Sequence, residues 1–367
     1  MNHPVILIGN GCRNSPTLVA NLCGLGIPIL TTWMAADLVP EDSPVFCGRP
    51  GVYGQRASNI IQQKADILYV FGARLDEQQV AYRYDKFAPM AKVIIYDVDE
   101  AELHKLPTNW RKHHITEGIT RDYLQLHDDH DWLNWCKALY HRFRPELEGL
   151  EDIGYVDPFH FISLLSDYAR PDDVLAVGSS GFAPQTFMQA FKVKEGQRVT
   201  NCSTIGAMGA DIPMAIGACI ASGKRTLCVT GDGGFMLNVN ELEVVRRLKL
   251  PIQFFVYSNN GYGSIRAMQK ARFNGNYVGC DPASGFTIPR LSDIADCYGL
   301  NYQYIQSLYY KVEFKGQIIE LMIDPDYVQL PRVATSMVNG QFDQDDMQDM
   351  TPKIPADELK QIMEWDG

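Results

Sequence analysis

Basic residues are in the minority. Lys and Arg total 33 against 44 Asp and Glu, a formal net charge of −11. That balance excludes a general binder of nucleic acid or anionic membrane, which would need a basic surface. No run approaches the roughly 18 apolar residues that a membrane helix needs. The start, His3-Pro4-Val5-Ile6-Leu7-Ile8-Gly9, follows no basic n-region. It reads as the mature start of a cytoplasmic protein, not as a signal peptide. No Cys-x-x-Cys pair occurs among the nine cysteines. An odd count in a large chain argues against a disulfide framework and for buried, reduced thiols. No internal repeat is visible.

What remains is ordinary globular composition: 367 residues, 46% hydrophobic and 21% charged. That length holds two domains, or at most three. The first half repeats a short apolar run, a glycine turn and a helical stretch. Val5–Ile8 runs into Gly9-Asn10-Gly11 and a helical segment over Ser15–Leu25. Ile27–Leu30, Ile67–Phe71 and Val93–Tyr96 are further strands. Uninterrupted apolar strands between helices are buried on both faces, which implies a parallel sheet with crossover helices.

A second set begins near Asp157. Its strands are Val174–Val177, Thr226–Thr230, Pro251–Tyr257 and Ile318–Ile323, with helices over Gly206–Ser222 and Val239–Leu248. The reading is an α/β chain of two Rossmann-like, doubly wound domains with mainly parallel sheets. The boundaries are 1–135 for the first domain, 136–156 for a linker, 157–330 for the second and 331–367 for a C-terminal tail over the surface. The cluster His127, Asp128, Asp129, His130, Asp131 and Trp132 is too crowded for metal-ligand spacing and reads as part of an exposed, solvated connection.

In open α/β sheets, ligands bind beyond the carboxyl ends of the strands. Two such ends carry Gly231-Asp232-Gly233-Gly234 and Ser258-Asn259-Asn260-Gly261, joined by a single β-α-β unit. A carboxylate and an amide oxygen are hard ligands suited to Mg²⁺, which completes its shell with phosphate oxygens and water. Glycines let the backbone approach a phosphate, and the following helix offers N–H donors. The inference from the residues is a diphosphate–Mg²⁺ site. Two plainer readings compete: Asp232 as a helix cap and Met208 as core packing.

Gly231-Asp232-Gly233, followed 27 residues after the Asp by Asn259, resembles the signature of thiamine-diphosphate-dependent enzymes. The segment from Gly206-Ala207-Met208-Gly209 to Ile216-Gly217-Ala218 is similar to that family's Gly-x-Met-Gly helix. Asn238-Val239-Asn240-Glu241-Leu242 resembles its Asn-x-x-Glu-Leu helix. Gly48-Arg49-Pro50-Gly51-Val52-Tyr53-Gly54 and Phe71-Gly72-Ala73-Arg74-Leu75-Asp76 resemble the central domain of acetolactate-synthase-like members. The resemblance runs from about Pro4 to Pro355.

It implies thiamine diphosphate and Mg²⁺ as cofactors and a small 2-keto acid as substrate, in a transferase or lyase reaction. The metal would be held by the Asp232 and Asn259 side chains and the Gly261 carbonyl. Ser180, Gly181, Gly206, Gly231, Gly233, Gly234 and Tyr262 would join them in the cofactor site, with Met208 wedging the cofactor into its bent form. The family's first Asn of the pair is Ser258 here, a departure that spares the ligand position. Some members hold FAD or another adenine nucleotide in the central domain, so the resemblance admits one here.

The resemblance also implies that the pyrimidine-binding domain, with its activating Glu, lies outside this sequence. No catalytic residue is then assigned within it. A homo-oligomer or a separate pyrimidine-domain subunit would complete the site. The connection over Tyr304–Lys315 is shorter than the family's usual helical stretch. Two alternatives stand beside this reading. One is a catalytically degenerate protein that only binds the cofactor or a partner. The other is a nucleotide-binding oxidoreductase using Gly9–Gly11, although Asn14 stands where a third glycine belongs and Asp37 is too distant to hold a ribose.

Overall fold

The computed structural model describes residues 3–115, 130–145, 154–179, 181–203, 205–308, 312–338 and 341–366. Two compact units emerge, Met1–Arg144 with Leu330–Gly367, and Pro145–Gln329.

The first unit holds a five-stranded parallel sheet. Its strands are β1 (Pro4–Ile8), β2 (Ile29–Thr31), β3 (Ile67–Phe71), β4 (Lys92–Asp97) and β5 (Arg111–His114), in the order β2-β1-β3-β4-β5. All five residues of β1 are buried, as expected where helices cover both faces. Burying one such aliphatic side chain contributes about 1.5–3 kcal/mol. The edge strand β5, Arg-Lys-His-His, is missing from the sequence reading because it has no apolar run. It is held instead by an aromatic row, Phe71–Tyr96–His113, with ring centroids 4.9 Å apart at each step.

The Gly9–Gly11 turn is filled by its neighbour. A Cβ on Gly9 would lie 2.2 Å from the Gly72 carbonyl oxygen, and one on Gly11 would lie 2.8 Å from Gly72 Cα. These glycines serve the contact of two turns. Asp37 is likewise engaged, accepting two bonds from the Arg13 guanidinium at 2.6 and 3.0 Å.

Helix Arg56–Lys64 is polar in sequence yet buried throughout. The chain's last segment explains this. Arg56 donates to the carbonyls of Met350 and Pro352, and Lys64 to that of Met363. Met347, Met350, Ile354 and Ile362 join the first unit's core. Residues beyond Pro331 are therefore part of this core, more than a surface tail. Helix His130–Arg142 also belongs to it and runs across the expected boundary at residue 135. Its Trp132, Cys136, Leu139 and Tyr140 are buried, and the Trp132 indole donates to Pro4 O at 2.9 Å. Of the crowded His/Asp cluster, His127, Asp128 and Asp129 lie outside the described residues. Trp132 is a core residue and not part of a solvated connection.

The second unit holds a six-stranded parallel sheet. Its strands are β6 (Val174–Val177), β7 (Arg198–Thr200), β8 (Thr226–Gly231), β9 (Ile252–Ser258), β10 (Tyr302–Ile305) and β11 (Ile318–Met322). The order is β10-β11-β9-β8-β6-β7. The strand order reverses at the β6/β8 boundary, where an open sheet leaves a crevice for a ligand. β8 and β9 pair directly, with Thr230 opposite Val256 and Gly231 opposite Tyr257, so the two motif turns leave adjacent strands.

Three expected helices have different limits. The first is Pro16–Cys23. The small-residue helix begins at Asp211 and not at Gly206, because Gly206 and Gly209 have φ of 65° and 83°, outside the right-handed helical region. Val239–Glu241 is a 3-10 turn that leads into the α-helix Leu242–Leu248. In the short connection from β10 to β11, Gln303 pins the far side: its amide donates to Glu313 O and accepts from the Lys315 and Gly316 N–H groups.

All nine cysteines are free. Among the described residues, no helix is long and apolar enough to cross a membrane.

Candidate functional site

A cavity of about 270 Å³ opens at the carboxyl ends of β6, β8 and β9. Gly181, Gly206, Met208, Gly231, Asp232, Gly233, Gly234, Asn259, Gly261 and Tyr262 all line it. Ser180, also named from the sequence, lies outside the described residues. Met208 is 41% exposed and forms cavity wall, so it is not core packing. Sequence reasoning missed Phe182, Ala183, Asp211, Tyr257, Gly263, Ser264 and Ile265, which complete the lining. Gly263, Ser264 and Ile265 were open to inference, since they begin the helix that follows the Asn259 turn.

Asp232 sits at the floor, 2% exposed. Its carboxylate accepts from the Gly233 N–H at 2.7 Å, the Asn259 N–H at 3.1 Å and the Gly261 N–H at 3.3 Å. Two of these donors belong to the neighbouring turn, so the carboxylate does more than cap its own helix. Burial pushes its pKa up to about 7, and the backbone N–H bonds only partly offset this. The Asn259 side chain is fixed beside it. A Cβ on Gly263 would lie 2.2 Å from Asn259 Nδ2, so the amide packs on glycine backbone. Asn259 Oδ1 is buried and accepts no hydrogen bond. A buried polar oxygen without a partner is costly, and native proteins seldom keep one without use.

Charge makes the same point. Among the described residues, the only charged side chains on the cavity wall are Asp211 and Asp232; no Lys or Arg lines it. An anion here needs positive charge from elsewhere. Helices Phe182–Ala190 and Gly263–Arg272 turn their first residues to the cavity and present N–H groups and the positive ends of their dipoles. A hard cation between Asp232 and the orphan Asn259 oxygen would supply the rest, with the Gly261 carbonyl close at hand. That carbonyl accepts one bond, from the Gly263 N–H at 3.1 Å, which leaves a lone pair. The donor set fits Mg²⁺. Among the described residues, no three His, Cys, Asp or Glu side chains form a competing metal cluster.

The Tyr262 ring packs on Gly233, where a Cβ would lie 2.4 Å from the ring, and stacks on Phe286 with centroids 4.1 Å apart. Asp211 accepts a hydrogen bond from the Thr230 hydroxyl, and burial raises its pKa.

Comparison with known proteins agrees with this geometry. A family model described as the thiamine pyrophosphate enzyme C-terminal TPP binding domain matches residues 177–322, which carry the entire described cavity. A second, the thiamine pyrophosphate enzyme central domain, matches residues 1–111. The chain belongs to the thiamine pyrophosphate enzyme family.

Its curated relatives include acetolactate synthase isozyme 2 large subunit of Escherichia coli (strain K12), 29% identical over 313 residues, which are 82% of this chain and 55% of that protein. Acetolactate synthase of Mycobacterium bovis is 30% identical over 323 residues, 81% of this chain and 50% of the relative. Acetolactate synthase 2, chloroplastic, of Zea mays is 29% identical over 284 residues, 71% and 42% of the two chains. The chain thus spans about half the length of the curated relatives it matches. The central-domain match covers β1 to β4 of the first sheet, and the C-terminal match covers β7 to β11 of the second.

Proposed function

We propose that this chain carries the thiamine-diphosphate- and Mg²⁺-binding half of an acetolactate-synthase-like enzyme acting on 2-keto acids. The observation that carries the reading is the pairing of buried Asp232 with the unpartnered Asn259 Oδ1 on adjacent strand ends. Asp232 and Asn259 hold Mg²⁺ by side chain and Gly261 by its carbonyl. Gly233, Gly234, Ser180 and Gly181 bring backbone to the diphosphate. The helix beginning at Phe182 directs its N–H groups toward the same anion. Met208 and Gly206 form the wall against which the cofactor bends. When bound, thiamine diphosphate supplies the nucleophilic thiazolium carbon that 2-keto acid decarboxylation and carboligation require.

Among the described cavity residues no glutamate is present. A pyrimidine-binding domain, on a partner subunit or elsewhere in a longer chain, supplies the activating Glu. A homo-oligomer or a separate pyrimidine-domain subunit completes the site, because the resemblance puts its two halves on different subunits.

Calorimetric titration of thiamine diphosphate into the purified chain, with and without Mg²⁺, tests the first half of this proposal. Mg²⁺-dependent binding that disappears in Asp232→Ala is expected. Binding that ignores Mg²⁺ and survives Asp232→Ala would refute it. The second half predicts turnover of pyruvate or another 2-keto acid only after a pyrimidine-domain protein is added.

A further inference from the structure

We infer that Asp211 is a positioning residue for the diphosphate cradle, its carboxylate tying the turn after β6 to the turn after β8. The inference rests on the diphosphate reading of the cavity.

Asp211 opens the helix Asp211–Ser222 and is only 4% exposed, although it lines the cavity. A carboxylate at a helix start ordinarily serves that helix. This one reaches outward. Its Oδ2 accepts from the Thr230 hydroxyl at 2.5 Å, and its Oδ1 faces the backbone of Gly178 in the turn after β6. Thr230 stands immediately before Gly231-Asp232-Gly233-Gly234, and Gly178 opens the turn Gly178-Ser179-Ser180-Gly181. One side chain is therefore bonded to one and packed on the other of the two turns that the cofactor's diphosphate would touch.

The packing is as direct as the hydrogen bonding. A Cβ at Gly178 would lie 3.0 Å from Asp211 Oδ1, and one at Gly234 would lie 2.7 Å from Oδ2. The carboxyl rests on bare backbone on both sides, so small movements of it displace both turns. With its oxygens engaged in this way, Asp211 shapes the cradle while Asp232 holds the cation.

The test titrates the full chain with Mg²⁺–thiamine diphosphate and, separately, with Mg²⁺–inorganic pyrophosphate, which samples the cradle alone. Thr230→Val, Asp211→Ala, their double variant and Asp211→Asn are compared with the parent. Thr230→Val and Asp211→Ala should each weaken both ligands by about tenfold, the scale of one hydrogen bond to a charged group. The double variant should bind no more weakly than Asp211→Ala, because both substitutions break the same link. Asp211→Asn should stay within about threefold of the parent; it keeps the packing on Gly178 and Gly234, and its Nδ2 can donate to the Thr230 hydroxyl. A merely structural role would not give this rescue together with matched losses for the two ligands.

Unchanged pyrophosphate affinity in Thr230→Val and Asp211→Ala would overturn the inference. So would losses that multiply in the double variant, or Asp211→Asn as weak as Asp211→Ala. Should Asp211→Ala fail to fold, the near-isosteric Thr230→Val still decides. If the parent binds neither ligand, the diphosphate reading itself falls, an outcome distinct from a parent that binds and variants that match it.

Discussion

Asp232 should make the stability of the metal-free protein fall as pH rises, the reverse of the usual carboxylate trend. Its pKa stands at about 7 in the folded chain because burial penalises the anion. In the unfolded chain it returns to about 3.9. Between those values the folded protein holds a proton that the unfolded chain has released, so stability is highest at low pH and declines until about pH 7. Integrated from pH 5 to pH 8, the loss is about 3 kcal/mol. Asp232→Asn removes the titration at nearly constant volume; its amide nitrogen cannot accept the backbone N–H bonds that one carboxylate oxygen takes, so the pH slopes and not the absolute stabilities are compared. Urea unfolding in EDTA at the two pH values, for parent and variant, isolates the contribution of this one group from those of other carboxyls. The parent should lose about 3 kcal/mol more than the variant across the interval. Mg²⁺ binds the ionised form, so its affinity should drop about tenfold from pH 8 to pH 6, following the ionised fraction. Equal pH slopes for parent and variant in EDTA would refute the reasoning.

Three further outcomes follow from the same geometry. Asn259→Ala should weaken Mn²⁺ binding, read by electron paramagnetic resonance, by at least about tenfold. Metal-free stability should hardly change, since Asn259 Oδ1 has no protein partner to lose. Gly234→Ala places a methyl group 2.7 Å from the Asp211 carboxylate. It should lower thiamine diphosphate affinity by about tenfold or more while the circular dichroism spectrum is kept. Trp132→Ala removes a buried indole that donates to Pro4 and stacks on Trp135, at a cost of about 3–5 kcal/mol to the first unit. Hydrogen exchange should show lost protection in β1 and unchanged protection in β8.

The parts of the fold legible in sequence are those where burial dictates residue type. Ile67–Phe71 and Val174–Val177 read as strands because helices on both faces leave no place for polar alternation. The shorter strands Arg111–His114 and Arg198–Thr200 escaped, since hydrogen bonding to one neighbour and not composition makes them strands. Helix Arg56–Lys64 looks like a surface helix, and only the carbonyls of Met350, Pro352 and Met363 explain its burial. Nothing local in the sequence announces partners almost 300 residues away.

In the site, Asp232 and Asn259 were legible because one β-α-β unit places consecutive strand ends side by side, a constraint of topology. Asp211 was not. It stands within a recognisable segment, but its meaning lies in a hydrogen bond to Thr230 and packing on Gly178 that no spacing encodes.

The return of Leu330–Gly367 to the first unit has a consequence for how the chain is made. Synthesis proceeds from the amino end, and domains generally fold as units while emerging. The unit Pro145–Gln329 is continuous, so all of its core is available once residue 329 has left the ribosome. The unit that starts first must wait: Met350 and Ile362 arrive last, and until then helix Arg56–Lys64 lacks its cover. The nascent chain thus completes its second-made unit before its first-made one. Cotranslational proteolysis should find the segment around Arg56–Lys64 open for longest, and chaperones should have their greatest opportunity there.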